Sequence, residues 1–525
     1  MSLIRAVSTV GGLTMVSRVL GFVRDILMAA VLGAGWIADC FVIAFKLPNL
    51  MRRLFAEGAF SAAFVPIFSE LLEGKEGDAA RTPLERRAAA IAFAEEALAM
   101  LVAALVIVVS LCQIFMPWVI YVLGYGFVGD PKKYDLAVLL TRLTFPYLLF
   151  ISLVSLMGGV LNSLHRFAAV AFTPVLLNVT LIGALLWLKD AFATPAHGLA
   201  IGVSVSGAAQ LLWLLESCRR EGVSLRLRLP RLTEEVRRLF RLMLPVALGA
   251  GAYQISLFVD TFLASFLKDG SIAFLYYADR INQLPLGVIG IAIGTALLPK
   301  LSRIVAAGDD ASALASQNRA IEIAMFVTLP AAAALLAVPD TLIRVLFERG
   351  EFTPEMTAAT ADALAAFAVG LPAFVLIKVF APAYFARKDT TTPVRIAMIA
   401  LAVNLALNLI LMFPFAHVGL ALATSISAWL NAGLLLRGLV RRGLMAADRR
   451  LKVRLPKIAV ATAVMAIAVI FTERASDAYL HGPLLSSSAA LLALVGVGIV
   501  SYGLSAFLFG ALTRGDVELM RRRSA

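Results

Sequence analysis

Runs of about twenty apolar residues recur along the whole chain, separated by short clusters of arginine, lysine, glycine and proline. About 20 apolar residues in helical form cross the roughly 30 Å hydrocarbon core of a bilayer. The pattern predicts fourteen spans, at 8–33, 36–68, 89–115, 136–158, 166–188, 197–218, 239–266, 272–300, 320–338, 360–383, 393–413, 417–437, 456–472 and 486–511. The connections, mostly under 25 residues, leave no room for a soluble domain of useful size. The fold class is therefore all-α, a polytopic membrane protein of about fourteen transmembrane helices.

Composition agrees. The 525 residues are 61% hydrophobic and only 15% charged, against roughly 25% charged in soluble domains, and mean hydropathy is +0.89. Alternate connections hold 32 basic residues on one side of the membrane against 7 on the other. The positive-inside rule then places both termini in the cytoplasm. The net charge of +13 reads as this topogenic bias rather than as a nucleic-acid surface. Arg5 precedes the first apolar run, but Arg18, Arg24 and Asp25 interrupt it, so it reads as an uncleaved span and not a signal peptide.

The chain repeats itself. SAAFVPIFSE (Ser61 to Glu70) closes the second span and GTALLPKLSR (Gly294 to Arg303) the eighth, with the proline and a following serine in the same places. Pro48 and Pro285 interrupt the same two spans upstream. Spans one to six and seven to twelve read as two parallel copies of a six-helix unit, an arrangement that transporters use with a site between broken helices. The expected division is 1–220, 230–443 and 450–525, the last holding spans thirteen and fourteen.

Embedded charge locates the function. Arg18, Arg24, Asp25, Asp39, Lys46, Arg52 and Arg53 fall in or beside the first two spans, and an ionised group inside the membrane is costly unless it faces a polar cavity. Ser17 and Arg24 share a helical face, as do Arg18 and Asp25; Asp39, Lys46 and Arg53 recur at seven, and Asn49 precedes Arg52 by three. Pro48 should kink or unwind the second span. Arginine suits a phosphate because its planar fork donates two hydrogen bonds and stays charged when desolvated. The structural alternative is pairing with Asp25, Asp39 and Glu57, or snorkelling to the interface. In the eighth span, YYADRINQLP (Tyr276 to Pro285) embeds Asp279 and Arg280, which the repeat aligns with the second span. Converging guanidinium groups would match a pyrophosphate.

A second constellation is Asp260, the sole acid of the seventh span, with Asn404 and Asn408 on one face of span eleven and Thr424 in span twelve. These oxygens suit Na⁺, and a lone aspartate that exchanges H⁺ is equally consistent; interhelical hydrogen bonding is the structural alternative. No cofactor is expected beyond such an ion. Cys40, Cys112 and Cys218 lack metal spacing, and the four histidines lie scattered in connections. No catalytic motif is present at a known spacing, so an enzyme is not expected.

SRVLGFVRD, AFKLPNLMRRLFAEGAFSAAFVPIFSE (Ala44 to Glu70), YYADRINQLPLGVIGIAIGTALLP (Tyr276 to Pro299) and AYFARKDTTTP (Ala383 to Pro393) strongly resemble the MurJ (MviN) family. This is a family of lipid II flippases in the multidrug/oligosaccharidyl-lipid/polysaccharide exporter superfamily. The resemblance implies a V-shaped two-lobed transporter whose last two spans form a groove for a polyprenyl tail. The implied cargo is lipid II, undecaprenyl-pyrophosphate carrying the peptidoglycan disaccharide-pentapeptide. It implies that Arg18, Arg24, Asp39, Arg52 and Arg280 are essential for flipping, with Ser17, Asp25, Lys46, Asn49, Glu57 and Asp279 supporting. Gln283 stands where many relatives have glutamate, and Asn408 replaces an acidic cation ligand, which favours a cation or proton site centred on Asp260. Expected partners are lipid II, membrane lipids and the cell-division or elongation machinery, with no nucleic acid. The expected location is the bacterial inner membrane. The expected function is a flippase moving lipid II between leaflets by alternating access. The alternatives are a cation-coupled multidrug exporter, another polyprenyl-linked oligosaccharide flippase, or a membrane scaffold. An exporter would require acidic cavities, and a scaffold has no use for buried arginine.

Overall fold

A computed structural model describes residues 3–52, 60–74 and 82–513, with the side chains of all of these except 3–7, 246–257, 288–289, 291–292 and 295. Every regular element among the described residues is helical, and the chain divides into two compact units, Met1–Gly270 and Ser271–Ala525. Nine helices among the described residues are long and apolar enough to cross a membrane. Large apolar side chains such as Leu485, Leu492 and Ile499 stand exposed at seven-residue intervals on one of them, the surface of a helix that meets lipid.

The first unit runs α1 (Leu3–Leu32), α2 (Trp36–Met51), α3 (Ser61–Glu73), α4 (Pro83–Ile114), the short α5 (Met116–Leu123), α6 (Pro131–Thr144), α7 (Tyr147–Ser163), α8 (Phe167–Trp187), α9 (Pro195–Arg220) and α10 (Glu234–Ala264). The second runs α11 (Ser271–Ala306), α12 (Asp310–Ala337), the short α13 (Pro339–Phe347), α14 (Pro354–Phe385), α15 (Thr391–Arg441), α16 (Arg449–Ala475), the short α17 (Asp477–Leu480) and α18 (Leu484–Leu508). One stretch of the first unit recurs in the second: a long helix (α4, α12), a short helix with proline in its first turn (α5, α13), then a proline-led helix (α6, α14). The ends recur too. His165 after α7 and Lys388 after α14 are non-glycine residues at φ 58° and 61°. In each turn the next amide closes back on the helix, Arg166 N–H to Leu161 C=O at 2.8 Å and Asp389 N–H to Tyr384 C=O at 3.1 Å. That is a left-handed Schellman stop. Gly222 after α9 and Gly443 after α15 make a second matching pair, with Val223 N–H on Cys218 C=O and Leu444 N–H on Leu439 C=O, both at 2.9 Å. The repeat read from two sequence motifs is thus carried by the backbone as well.

The 51 residues of α15 would extend about 75 Å if straight, far more than one bilayer. They fold back at Ala416 (φ 48°, ψ −128°), between the predicted spans 393–413 and 417–437. The return leg passes so close that a Cβ on Gly419 would lie 2.1 Å from the Leu411 carbonyl oxygen, so only glycine fits. Span four, read from sequence as a continuous 136–158, is two helices, α6 and α7, separated at Phe145 and Pro146.

Connections on the arginine-rich side are pinned. The buried carboxylate of Glu95 accepts the Arg226 backbone N–H at 3.0 Å and the Arg228 guanidinium at 2.5 Å, and Glu96 accepts the Thr233 hydroxyl at 2.7 Å. In the second unit Glu322 gathers Arg319, Arg450 and Arg454, fastening α16 to α12. The AYFARKDTTTP segment is a clasp of the same kind. Asp389 accepts from Thr392 and, at 2.7 Å, from Arg442 at the end of α15, which holds its carboxyl well below the usual carboxylate range.

Pro48 sits inside α2 and has no N–H to give the Ala44 carbonyl. The Thr144 hydroxyl, at the end of α6, donates to that carbonyl instead at 2.7 Å. The carbonyl left without a helical donor is therefore satisfied by a neighbour one hundred residues away in sequence. Thr144→Val should leave the carbonyl unsatisfied and cost about 1–3 kcal/mol, while Thr144→Ser should cost much less. Thermal unfolding in detergent measures both, and equal loss would remove the hydroxyl from the account.

Candidate functional site

In the first unit the arginine constellation is built on α1, α2 and α8. Arg24 is 8% exposed and Asp25 3%. The Arg24 guanidinium donates from Nε and Nη2 to Asp25 Oδ1 at 3.1 and 2.7 Å, and from Nη1 to Asn178 Oδ1 at 3.0 Å. Asn178, on α8, in turn donates from Nδ2 to the Ser17 carbonyl at 2.9 Å and lies 3.4 Å from its hydroxyl. The face shared by Ser17 and Arg24 is thus real, and one amide serves both ends of it. Gly21 lies one turn between them, facing the Asn178 amide. Arg18 lies one residue round, on an exposed face of α1.

α2 carries its polar residues at two levels. Near its start, Asp39 is buried and accepts the Gly270 N–H at 2.7 Å, with Lys133 Nζ at 3.7 Å. Lys133 also meets Asp269 at 2.6 Å and lies over the Phe127 ring at 4.1 Å. Asp39 therefore ties the start of α6 and the end of the α10 connection to α2. Arg52 caps the other end of the helix, its N–H on the Pro48 and Asn49 carbonyls. Thirteen helical residues put these two side chains about 20 Å apart along the axis, too far to touch one pyrophosphate. Between them, Asn49 donates back to the Phe45 carbonyl at 3.0 Å, and Lys46 Nζ donates to Thr261 Oγ1 at 3.1 Å. Thr261 follows Asp260, so the Lys46 ammonium lies beside the turn of α10 that bears Asp260. Glu57 and Arg53 lie outside the described residues.

In the second unit Arg280 lies over the ring of Tyr276, 4.7 Å from its centroid, and Nη2 donates to the phenol oxygen at 3.3 Å. One turn away the Gln283 amide donates to the Asp279 carboxylate. A glutamate at 283 would set two carboxylates side by side there, whereas glutamine supplies a donor. Asn404 and Asn408 are buried and bond to each other, Asn408 Nδ2 to Asn404 Oδ1 at 3.3 Å. The Thr424 hydroxyl donates into its own helix, to Leu420 C=O at 3.0 Å. No group of three or more histidine, cysteine, aspartate or glutamate side chains suited to a metal occurs among the described residues.

Sequence reasoning missed Asn178, Thr144 and Lys133, which complete the site. Asn178 is a single polar residue in the apolar run FAAVAFTPVLLNVTLIGALLW, and that isolation was the available signal.

The sequence profile of the family described as lipid II flippase MurJ matches residues 28–489. A protein of Rhizobium meliloti (strain 1021) named as a probable lipid II flippase MurJ is 42% identical over 532 residues, spanning 100% of this chain and 97% of the relative. The lipid II flippase MurJ of Burkholderia cenocepacia is 36% identical over 448 residues, 85% of each chain. Among solved structures, a lipid II flippase MurJ in an inward closed conformation aligns with a TM-score of 0.76 at 25% identity, covering 95% of this chain and 98% of that one. An inward-facing multidrug resistance MATE transporter of the MOP superfamily aligns at 0.66 with 15% identity, over 83% and 98%. That last likeness is one of fold.

The geometry orders three variants. Asp25→Ala strands a buried guanidinium and should cost about 3–5 kcal/mol, whereas removing both charges in Arg24→Leu/Asp25→Ala should recover much of that loss. Asn178→Leu should cost less than Asp25→Ala, about 1–3 kcal/mol. Chemical or thermal unfolding of the purified protein ranks them, and a double variant as unstable as Asp25→Ala would refute the pairing.

Proposed function

The chain belongs to the lipid II flippase MurJ family, and we propose that it holds the pyrophosphate of lipid II on Arg24, Arg52 and Arg280 while the headgroup crosses the membrane. It is a multi-pass membrane transporter rather than an enzyme, with lipid II as its cargo. The observation that carries the site assignment is Arg24: a guanidinium buried in a membrane helix, compensated by Asp25 and held by Asn178. Asp25 keeps that charge tolerable while no cargo is bound, and a pyrophosphate competes for the same N–H donors. Ser17, Asn49 and Arg18 lie within a turn or two of these arginines on α1 and α2 and complete the polar lining. Asp279 and Glu57 belong to the same lining by the sequence repeat and the family resemblance. Asp39 acts at the far level of α2, through Lys133 and Gly270, in holding helix ends rather than in touching phosphate.

Cargo moves from the inner to the outer leaflet of the cytoplasmic membrane by alternating access, with both termini on the cytoplasmic side. The 32-to-7 bias of basic residues supports that orientation. The undecaprenyl tail runs along α16 and α18, where Val460, Val464, Ile467 and Phe471 form an exposed apolar stripe. Membrane lipids and the cell-division or elongation machinery are the further partners. Resetting uses Na⁺ or H⁺ at Asp260, with Asn404, Asn408 and Thr424 as supporting polar groups. Lys46, bonded next door at Thr261, supplies the competing positive charge when the ion has left. Each charge moved through 100 mV of membrane potential is worth about 2.3 kcal/mol, enough to bias the return step.

Two outcomes test this. Arg24→Lys, Arg52→Lys and Arg280→Lys should each impair rescue of a flippase-depleted cell at normal membrane levels, because a point charge does not reproduce a bidentate fork; full rescue by all three would refute the assignment. In vesicles with labelled lipid II, Asp260→Asn should complete a single turnover yet slow sharply over many. Wild-type multiple-turnover rates, with unchanged dependence on pH and Na⁺, would remove Asp260 from coupling.

A further inference from the structure

Away from the arginine constellation, two cavities open side by side at the arginine-rich end of the first unit, where the turn between α7 and α8 packs on the end of α9. They share His165, Arg166 and Glu221. The first, about 310 Å³, is otherwise closed by Arg87 and Leu164, and is polar. The second, about 390 Å³, continues from Arg220 along Leu13, Phe172 and Trp213, and is apolar. The pair forms one cleft with a charged end and an oily end.

Both ends are built rather than incidental. Glu221 fixes two of the guanidinium groups, Arg166 on its carboxylate at 2.9 Å and Arg87 on its backbone carbonyl at 2.6 Å. Arg220, in the last turn of α9, pairs among the described residues with the solvent-exposed Glu216, a contact worth little. The lining therefore presents three arginines against one carboxylate, an excess of positive charge. At the oily end the Trp213 indole is locked by a hydrogen bond to the Ala169 carbonyl at 3.0 Å and lies 5.0 Å from the Phe172 ring. Trp213 and Phe167, which line it, are also partly exposed, so this end faces lipid rather than water. Tryptophan at such a level marks the membrane interface. The turn that bears Arg166 is held by the left-handed His165.

We infer that this cleft binds an anionic glycerophospholipid, its phosphate on Arg166 and Arg220 and an acyl chain against Phe172 and Trp213. Charge complementarity selects the anionic headgroup, and the continuous oily end selects a lipid over a free phosphate. Basic pockets between membrane helices on an arginine-rich side are suited to such headgroups. The inference does not draw on the transport reading, and none of these residues belongs to the proposed pyrophosphate site.

The test uses the purified full-length protein in a neutral detergent, titrated separately with phosphatidylglycerol, phosphatidylcholine and inorganic phosphate. Retained lipid is read by native mass spectrometry and stability by thermal shift. Phosphatidylglycerol should bind about tenfold or more tightly than phosphatidylcholine, and Arg166→Gln/Arg220→Gln should abolish that preference. Ser217→Phe, which fills the cleft from its rim and leaves every arginine in place, should exclude the lipid as well and guards against a folding defect in the double variant. Unchanged phosphatidylglycerol affinity in both variants overturns the inference. Stabilisation by inorganic phosphate equal to that by phosphatidylglycerol would make the cleft a phosphate site and also overturn it.

Discussion

The burial of the Arg24 guanidinium is the constraint on which the arrangement of the first unit turns. A cation in the hydrocarbon region of a membrane is tolerated only where polar groups enclose it, and here the enclosure has two parts. Asp25 cancels the charge from the neighbouring position on the same helix, and Asn178 supplies a hydrogen bond from another helix. The second part has structural reach. Because Asn178 also binds the Ser17 carbonyl, α8 is held against two turns of α1. A group suited to an anionic cargo thus helps to determine how its own helices pack.

The same logic governs the proline breaks. Removing a backbone donor inside the membrane leaves a carbonyl that water cannot reach. At Pro48 the deficit is met by the Thr144 hydroxyl, which lies at the end of α6, beside a second break at Pro146. Two interruptions therefore pack against each other, one supplying what the other lacks. This pairing satisfies the carbonyl without surrounding solvent.

Much of this was legible in the sequence. Span count, helical class and the parallel repeat follow from hydropathy, charge bias and two motifs, because bilayer thickness imposes a length on every helix. The pairing of positions 17 and 24 on one face follows from helical period alone. The partners were not legible, since Asn178, Thr144 and Lys133 lie 154, 100 and 93 residues from the groups they serve, and periodicity carries no information about such distances. Pro146 was passed over because the flanking sequence remains apolar enough to read as one span. Asp39 and Arg52 were grouped because both are charged and share a helix, whereas the rise per residue separates their levels.

That separation clarifies how α2 works. Its first turn is an anchor: Asp39 takes a backbone amide from Gly270, Lys133 approaches it, and Cys40 donates to the Lys133 carbonyl at 3.3 Å. Its last turn, beyond Pro48, carries Asn49 and Arg52, and the Arg52 N–H still bonds the Pro48 and Asn49 carbonyls. Lys46 stands between the two, on the last regular turn before the break, and its hydrogen bond to Thr261 joins that turn to the helix bearing Asp260. The arginine-bearing end of α2 and the helix bearing Asp260 thereby meet through one side chain of a single short helix.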